Sequence, residues 1–259
     1  MSEHHCIGVV GGLGPYAGLD LVRKIFDRTK GDHDQDHLPV MLYSFPGDIP
    51  VRPEFLLGLT RENPGEAIGD IMARMAEAGA TIIGMPCNTA HSPRILDVAL
   101  ERLAATQRKV RFVHIIDAAV AHMCRICPRG SRVGLMGTAA TLRPRLYQDA
   151  LEQAGLVPVI LDDEGCSRVQ DAISNRDYGI KASSNPVSPT ACDILHQAAH
   201  DLAKKNVAAI LLGCTEIPLA LTESCLFNVP VVDATSILAQ ELIRACAPEK
   251  LRFPSYSAT

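Results

Sequence analysis

With 259 residues, of which 47% are hydrophobic and 21% charged, the chain is long enough for one large soluble domain or two of about 100–150 residues each. A formal net charge of −4, with no block of like charge, excludes an electrostatically driven nucleic-acid partner, and 4% aromatics with no Trp leave few surfaces for stacking bases. No apolar stretch reaches the roughly 18 residues of a bilayer span, so no membrane partner is expected.

Residues 7–10 read as a buried strand. The glycine turn Gly11-Gly12-Leu13-Gly14-Pro15 follows, then a helix over 17–29 in which Leu19, Val22, Ile25 and Phe26 recur at helical spacing. A strand at 40–44, a helix at 64–78 with Pro64 and Glu66 early, a strand at 80–85, a helix at 93–105 and a strand at 110–115 come next. The pattern then restarts. Residues 132–138 mirror the opening strand and its turn, with a helix at 143–154, a strand at 157–161, a helix at 190–205 and a strand at 208–212. Gly134 lies 126 residues after Gly8, and Cys214 lies 127 residues after Cys87. Two motifs repeating at nearly the same offset indicate an internal duplication of a β-α-β unit.

Alternating strands and helices predict an α/β protein of two pseudo-symmetric Rossmann-like domains, with parallel sheets facing one cleft. Residues 1–116 with 232–259 are expected to form the half that carries Cys87, and residues 117–231 the half that carries Cys214. The first crossover is placed near 117–128. The segment 229–233 is expected to return the chain to the first half, where a last helix at 235–245 packs. In such sheets ligands bind beyond the C-terminal strand ends, where both glycine turns and both cysteines fall.

Each of the two thiols follows an apolar β-type run and precedes small polar residues, in Met85-Pro86-Cys87-Asn88-Thr89-Ala90-His91 and Leu212-Gly213-Cys214-Thr215-Glu216-Ile217-Pro218. The thiolate is the reactive form of cysteine, and a helix N-terminus beside either thiol would lower its pKa. Two thiols on opposite faces of one carbon suit stereoinversion, one removing a proton and the other returning one. His91, four residues past Cys87, either tunes that thiol or caps the helix that follows.

These residues also carry a resemblance. Gly11-Gly12-Leu13-Gly14-Pro15, Ile49-Pro50-Val51-Arg52, the Cys87 run and the Cys214 run extended to Leu219 resemble the aspartate/glutamate racemase family, over about residues 7–239 and closest to its aspartate branch. The resemblance implies cofactor-independent racemisation of aspartate or glutamate, a small-molecule substrate, no bound metal and a homodimer. It places the catalytic pair on Cys87 and Cys214 and the clamp for the distal carboxylate on Arg52 and Lys181. The α-carboxylate falls to Asn88 and Thr89, aided by Thr215 and by Thr138 or Thr141. The Ser/Pro-rich stretch 182–189 departs from the family pattern, in which a glycine follows the lysine soon after. Other isomerases of the superfamily, a hydantoin racemase or a maleate isomerase, and a non-catalytic ligand-binding protein on the same scaffold remain alternatives.

The physical reading runs parallel. Removing a Cα proton beside a carboxylate builds negative charge that hydrogen-bond donors can stabilise. An Arg offers a bidentate fork to a distal carboxylate and a Lys a point charge. Gly12-Leu13-Gly14 is read as a substrate-lining turn rather than a nucleotide loop, because Pro15 interrupts the helix start that would cradle phosphate. Cys124-Arg125-Ile126-Cys127, the 32–37 run and His4-His5-Cys6 lack a second ligand pair and are read as structural or solvated. Nine scattered cysteines, with no basic and apolar leader in the first six residues, suit reduced thiols in a cytoplasm.

Overall fold

The computed structural model describes residues 5–252, so His4 of the His-His-Cys run lies outside the described residues. The first half contains β1 (Ile7–Gly11), α1 (Pro15–Asp27), β2 (Val40–Ser44), α2 (Arg52–Leu56), α3 (Pro64–Glu77), β3 (Ile82–Gly84), α4 (Pro93–Ala105) and β4 (Arg111–Val113). After α5 (Ile115–Ile126) come β5 (Arg132–Met136), α6 (Ala139–Leu142), α7 (Leu146–Gln153), β6 (Val157–Val159), α8 (Asp163–Ser174), α9 (Pro189–Ala203) and β7 (Ala209–Leu212). The chain closes with β8 (Cys225–Leu226), β9 (Val229–Asp233) and α10 (Ala234–Cys246).

The expected α/β architecture is present. One sheet has the order β2-β1-β3-β4 and the other β6-β5-β7-β9-β8, all parallel except the β8 edge. The first four strands of each follow the same winding order, so β1 corresponds to β5 and β3 to β7. The central strands β1, β3, β5 and β7 are short, apolar and, apart from Arg132 at the start of β5, buried, because helices cover both faces, as parallel crossovers require.

Apolar packing forms three regions. Ile68, Met72, Ile95 and Ala99 of α3 and α4 cover the outer face of the first sheet. Val169, Ile173, Leu195 and Leu202 of α8 and α9 cover that of the second. The third region joins the halves: Ile7, Val9 and Ile82 from the first sheet share one core with Val133, Leu135 and Leu211 from the second. Met123 of α5, Leu151 of α7 and Leu238 and Leu242 of α10 fill the space between them.

Three segments depart from the sequence reading. Val229–Asp233 does not lead back to the first half; β9 pairs with β7, placing Val232 beside Leu211 in the second sheet. The return comes one element later, when α10 packs on α1, α5 and β3. A short apolar strand suits either sheet equally, and only its hydrogen-bonding partner distinguishes them. Helix α8 has no counterpart in the sequence reading, because its apolar side is narrow. Its start was legible in Asp162, whose Oδ1 accepts the Gly165 N–H at 2.8 Å. The helix expected at 143–154 begins only at Leu146, after Arg145 turns left-handed at φ 57°.

One buried ion cluster fastens α10 to α1. Lys24 of α1 pairs with Asp20 and with Asp233, the residue that caps α10 through the Thr235 N–H at 2.8 Å. The Asp20 side chain is 2% exposed and that of Lys24 12%. Lys24→Met leaves Asp20 with only Arg23, so this variant is expected to lose about 3 kcal/mol of stability. Urea unfolding checks this as a lower midpoint at unchanged slope.

Candidate active site

The four strands that approach the interface carry the site residues beyond their C-terminal ends. β1 ends in the glycine turn, β3 leads to Cys87, β5 leads to Thr138 and β7 leads to Cys214. Beyond these ends lies a cavity of about 240 Å³ walled by Cys87, Asn88 and Thr89 from the first half and by Thr138, Thr141, Lys181, Cys214 and Thr215 from the second. Arg52, at the start of α2, closes one side. Nine of the ten residues named from the sequence therefore line one space. Gly12 does not; it lines an adjoining cavity of about 440 Å³, which shares Arg52, Lys181 and Glu216 with the first.

The two thiol loops are registered against one another directly. Thr215 Oγ1 donates to the Pro86 carbonyl at 3.0 Å, linking the residue after one cysteine to the residue before the other. The same hydroxyl also lies 3.5 Å from Glu216 Oε2, a longer alternative. The hydroxyls of Thr89, Thr141 and Thr138 form a chain with spacings of 3.3 and 3.2 Å, again spanning the two halves.

Donors without partners collect here. Tyr147 is fully buried, and burial pushes its pKa upward, so it stays a phenol. Its O–H donates to Asn88 Oδ1 at 2.7 Å, which turns the Asn88 amide nitrogen away from Tyr147 and leaves that nitrogen buried and unbonded. Arg52 Nη2 donates to the Leu13 carbonyl at 2.8 Å while its buried Nε has no partner. A buried donor left unpaired costs about 1–3 kcal/mol, and such groups persist where a ligand can satisfy them.

Lys181 reaches the cavity because its loop is tied down behind it. The N–H groups of Ile180 and Lys181 donate to the Ala172 and Ile173 carbonyls at 2.9 and 3.0 Å, and Ile180 is buried. Ser188 Oγ donates to the Tyr178 carbonyl at 2.5 Å and accepts the Ala191 N–H at the start of α9. The Ser/Pro stretch 182–189 thus runs on from Lys181 into α9, with Lys181 held at its root.

Neither cysteine precedes a long helix. Cys87 is followed by a single 3-10 turn, Asn88–His91, and Cys214 by another, Ile217–Leu219. The expectation of a thiol activated by a helix N-terminus is overturned at Cys214. Burial pushes its pKa well up, and the Glu216 carboxylate beside it adds to that, its Oε2 accepting from Sγ at 3.0 Å. The backbone N–H of Glu216 opposes the shift, and Lys181 does so more weakly still. In the sequence Glu216 is marked only by its position two residues after a strand-end cysteine. Arg143 and Gln170, also in the wall, carried no local signal at all.

His91 is resolved in favour of positioning. Its Nδ1–H donates to the Cys87 carbonyl at 2.8 Å and its Nε2 accepts the Ile115 N–H at 3.4 Å, which defines a neutral ring. Burial, with help from His114, holds its pKa down at about 3. An imidazole that stays neutral cannot exchange protons with a thiol near pH 7; it fixes the backbone that carries Cys87. No group of three metal-ligating side chains occurs among the described residues, and no helix there is long and apolar enough to cross a membrane.

Two parallel α/β sheets in the same winding order, with a cysteine after the third-placed strand of each and both thiols in one cavity, define a two-thiol α/β fold. The chain belongs to the Asp/Glu/hydantoin racemase family, whose model matches residues 10–242. It is 28% identical to the aspartate racemase of Picrophilus torridus and superposes on that structure with a TM-score of 0.77, covering 93% of this chain and 94% of the other. Among curated proteins it is similar to the broad specificity amino-acid racemase RacX of Bacillus subtilis, at 23% identity over 92% of this chain and 96% of RacX. It is also similar to the glutamate racemase of Mycolicibacterium paratuberculosis, at 26% identity over 92% of this chain and 77% of that enzyme.

The His91 ring predicts a pH effect on stability. Its folded pKa near 3 lies below the unfolded value of about 6.5, so between these the unfolded chain binds more protons. Its contribution is complete above about pH 6.5 and is lost as pH falls toward 3. Between pH 7 and pH 5 the wild type should lose about 2 kcal/mol more than His91→Gln, measured as the change in urea unfolding free energy.

Proposed function

We propose that this chain racemises an acidic amino acid, aspartate or glutamate, with Cys87 and Cys214 as the two proton-transferring groups and no cofactor. The observation that carries the reading is the single cavity in which two thiols from equivalent strand ends meet beside Arg52 and Lys181. Membership of a racemase family and the aspartate, glutamate and broad-specificity relatives support it.

In this mechanism Arg52 presents the unpaired part of its guanidinium to the distal carboxylate, with Lys181 as a second positive charge. Asn88 donates its free amide N–H to the α-carboxylate, with Thr89, the Thr138–Thr141 pair and the Thr215 backbone around it. These donors stabilise the charge that enters the carboxylate as the Cα–H bond breaks. The Cα–H electron pair moves into the carboxylate as one thiolate takes the proton; the opposite thiol then gives its proton to the other face of Cα. In the resting site Cys214 carries its proton on a hydrogen bond to Glu216. Paired cations at the distal end favour a dicarboxylate over a neutral hydantoin ring.

Incubation with L- or D-aspartate or glutamate in D₂O should give the opposite enantiomer with deuterium at Cα. Cys87→Ala and Cys214→Ala should each lower racemisation by about 10²–10⁴-fold, the range of a lost general acid or base. Persistence of full activity in either variant rules out the two-thiol mechanism. Arg52→Gln should raise KM for acidic substrates by about tenfold or more, matching loss of a charged hydrogen bond of about 1.5–3 kcal/mol.

A further inference from the structure

Glu216 is the one acidic side chain in the wall of the thiol cavity, among cations and hydroxyls. It is 6% exposed. Its Oε2 accepts from Cys214 Sγ at 3.0 Å, and its Oε1 is buried with no partner. Arg52, Lys181 and Arg143 line the same space, yet among the described residues none forms an ion pair with it. The thiol proton therefore has no guanidinium or ammonium competing for this carboxylate.

The site is built to hold the carboxylate where it is. Glu216 Oε1 faces Gly14, at the N-terminus of α1, so closely that a Cβ on Gly14 would lie 2.6 Å from it. Gly14 also has φ 140°, which disfavours a side chain there independently. A glycine of the first half thus makes room for an acid of the second.

A two-thiol reaction exposes a difficulty that this acid resolves. When Cys214 has given up its proton, a thiolate stands within hydrogen-bond distance of Glu216 in a buried site. Two adjacent anions there are strongly unfavourable. We propose that Glu216 and Cys214 share a proton along the Sγ···Oε2 hydrogen bond, so that Glu216 is the positioning and proton-holding partner of the second thiol. The S–H bond breaks as the O–H bond forms: Cys214–SH with Glu216–COO⁻ becomes Cys214–S⁻ with Glu216–COOH. In this one-proton form the pair carries a single negative charge and its thiolate can take the Cα proton, giving Cys214–SH with Glu216–COOH. Returning that proton to Cα restores the one-proton form, so thiolate and carboxylate are never both anionic during turnover. Cys214 thereby serves as base as well as acid. This inference rests on the racemase reading for its role in turnover, but the proton-sharing pair is testable without substrate.

The groups facing the pair are Lys181, Arg52 and Arg143 in the wall, Cys87 across it, the Tyr147 phenol behind Cys214 and the N-terminus of α1 beside Gly14. None changes in the decisive variant. Glu216→Gln keeps the shape and removes the acid. Its expected effect is a fall of about 1–3 pH units in the midpoint of Cys214 alkylation by iodoacetamide, read by peptide mass mapping, as follows when a like charge is removed at contact. Glu216→Asp, which withdraws the carboxylate by one methylene, should shift the midpoint in the same direction. The kcat for acidic amino acids should drop at least about tenfold in Glu216→Gln with KM changed less than about threefold. In the unsubstituted protein the Cys214 midpoint should lie above the value of about 8.5 for an ordinary thiol. A Cys214 midpoint at or below that, or one unmoved by either substitution, overturns the pair. A shifted midpoint in a protein that racemises no acidic amino acid would uphold the pair and defeat the racemase reading.

Discussion

Everything at the site depends on two buried strand ends being locked face to face. β3 and β7 each deliver a cysteine just beyond their last residue, and each strand is fixed by parallel partners on both sides. The shared core of Ile7, Val9, Leu135, Leu211 and Leu242 sets how far apart the sheets stand. The Thr215-to-Pro86 hydrogen bond then fixes their register at the thiols. A shift of either half along the interface would break that bond, the threonine chain and the Gly14–Glu216 contact together.

Polar satisfaction is distributed unevenly, and the unevenness has a location. Elsewhere most buried polar side chains are paired, Gln148 Oε1 and Thr235 Oγ1 being the exceptions among the described residues: Thr29 Oγ1 donates to the Ile25 carbonyl, and Asp20 is held by Lys24 and Arg23. Of five buried side-chain atoms left without a partner among the described residues, three are Arg52 Nε, Asn88 Nδ2 and Glu216 Oε1, all in the cavity wall. Two are donors and one is an acceptor. Stability is given up where a ligand can restore it.

Much of this was legible in the residues. The repeat offset, the strand-end cysteines and the alternation of apolar strands with helices correspond to two sheets wound alike. Nine candidate residues from five separate stretches of chain meet in one space because strand ends of parallel sheets converge on one side. Other parts had no local signature. Helix α8 carries few apolar residues, and β9 reads alike for either sheet. His91 showed only its spacing from Cys87; that it is neutral and bonded to the Cys87 carbonyl follows from Phe112, His114 and Ile115 closing over it.

The sequence by itself determined the fold class and the pairing of the thiols, because periodicity and duplication are properties of residue order. It also determined the glycines of the first turn, although not their purpose. Only the tertiary structure decided that Gly14 leaves room for Glu216, that Tyr147 turns the Asn88 amide, and that Cys214 faces a carboxylate rather than a helix N-terminus. Each of these depends on groups from opposite halves of the chain meeting at hydrogen-bond distance. Burial and proximity of that kind set protonation and orientation, and neither is encoded in spacing along the backbone.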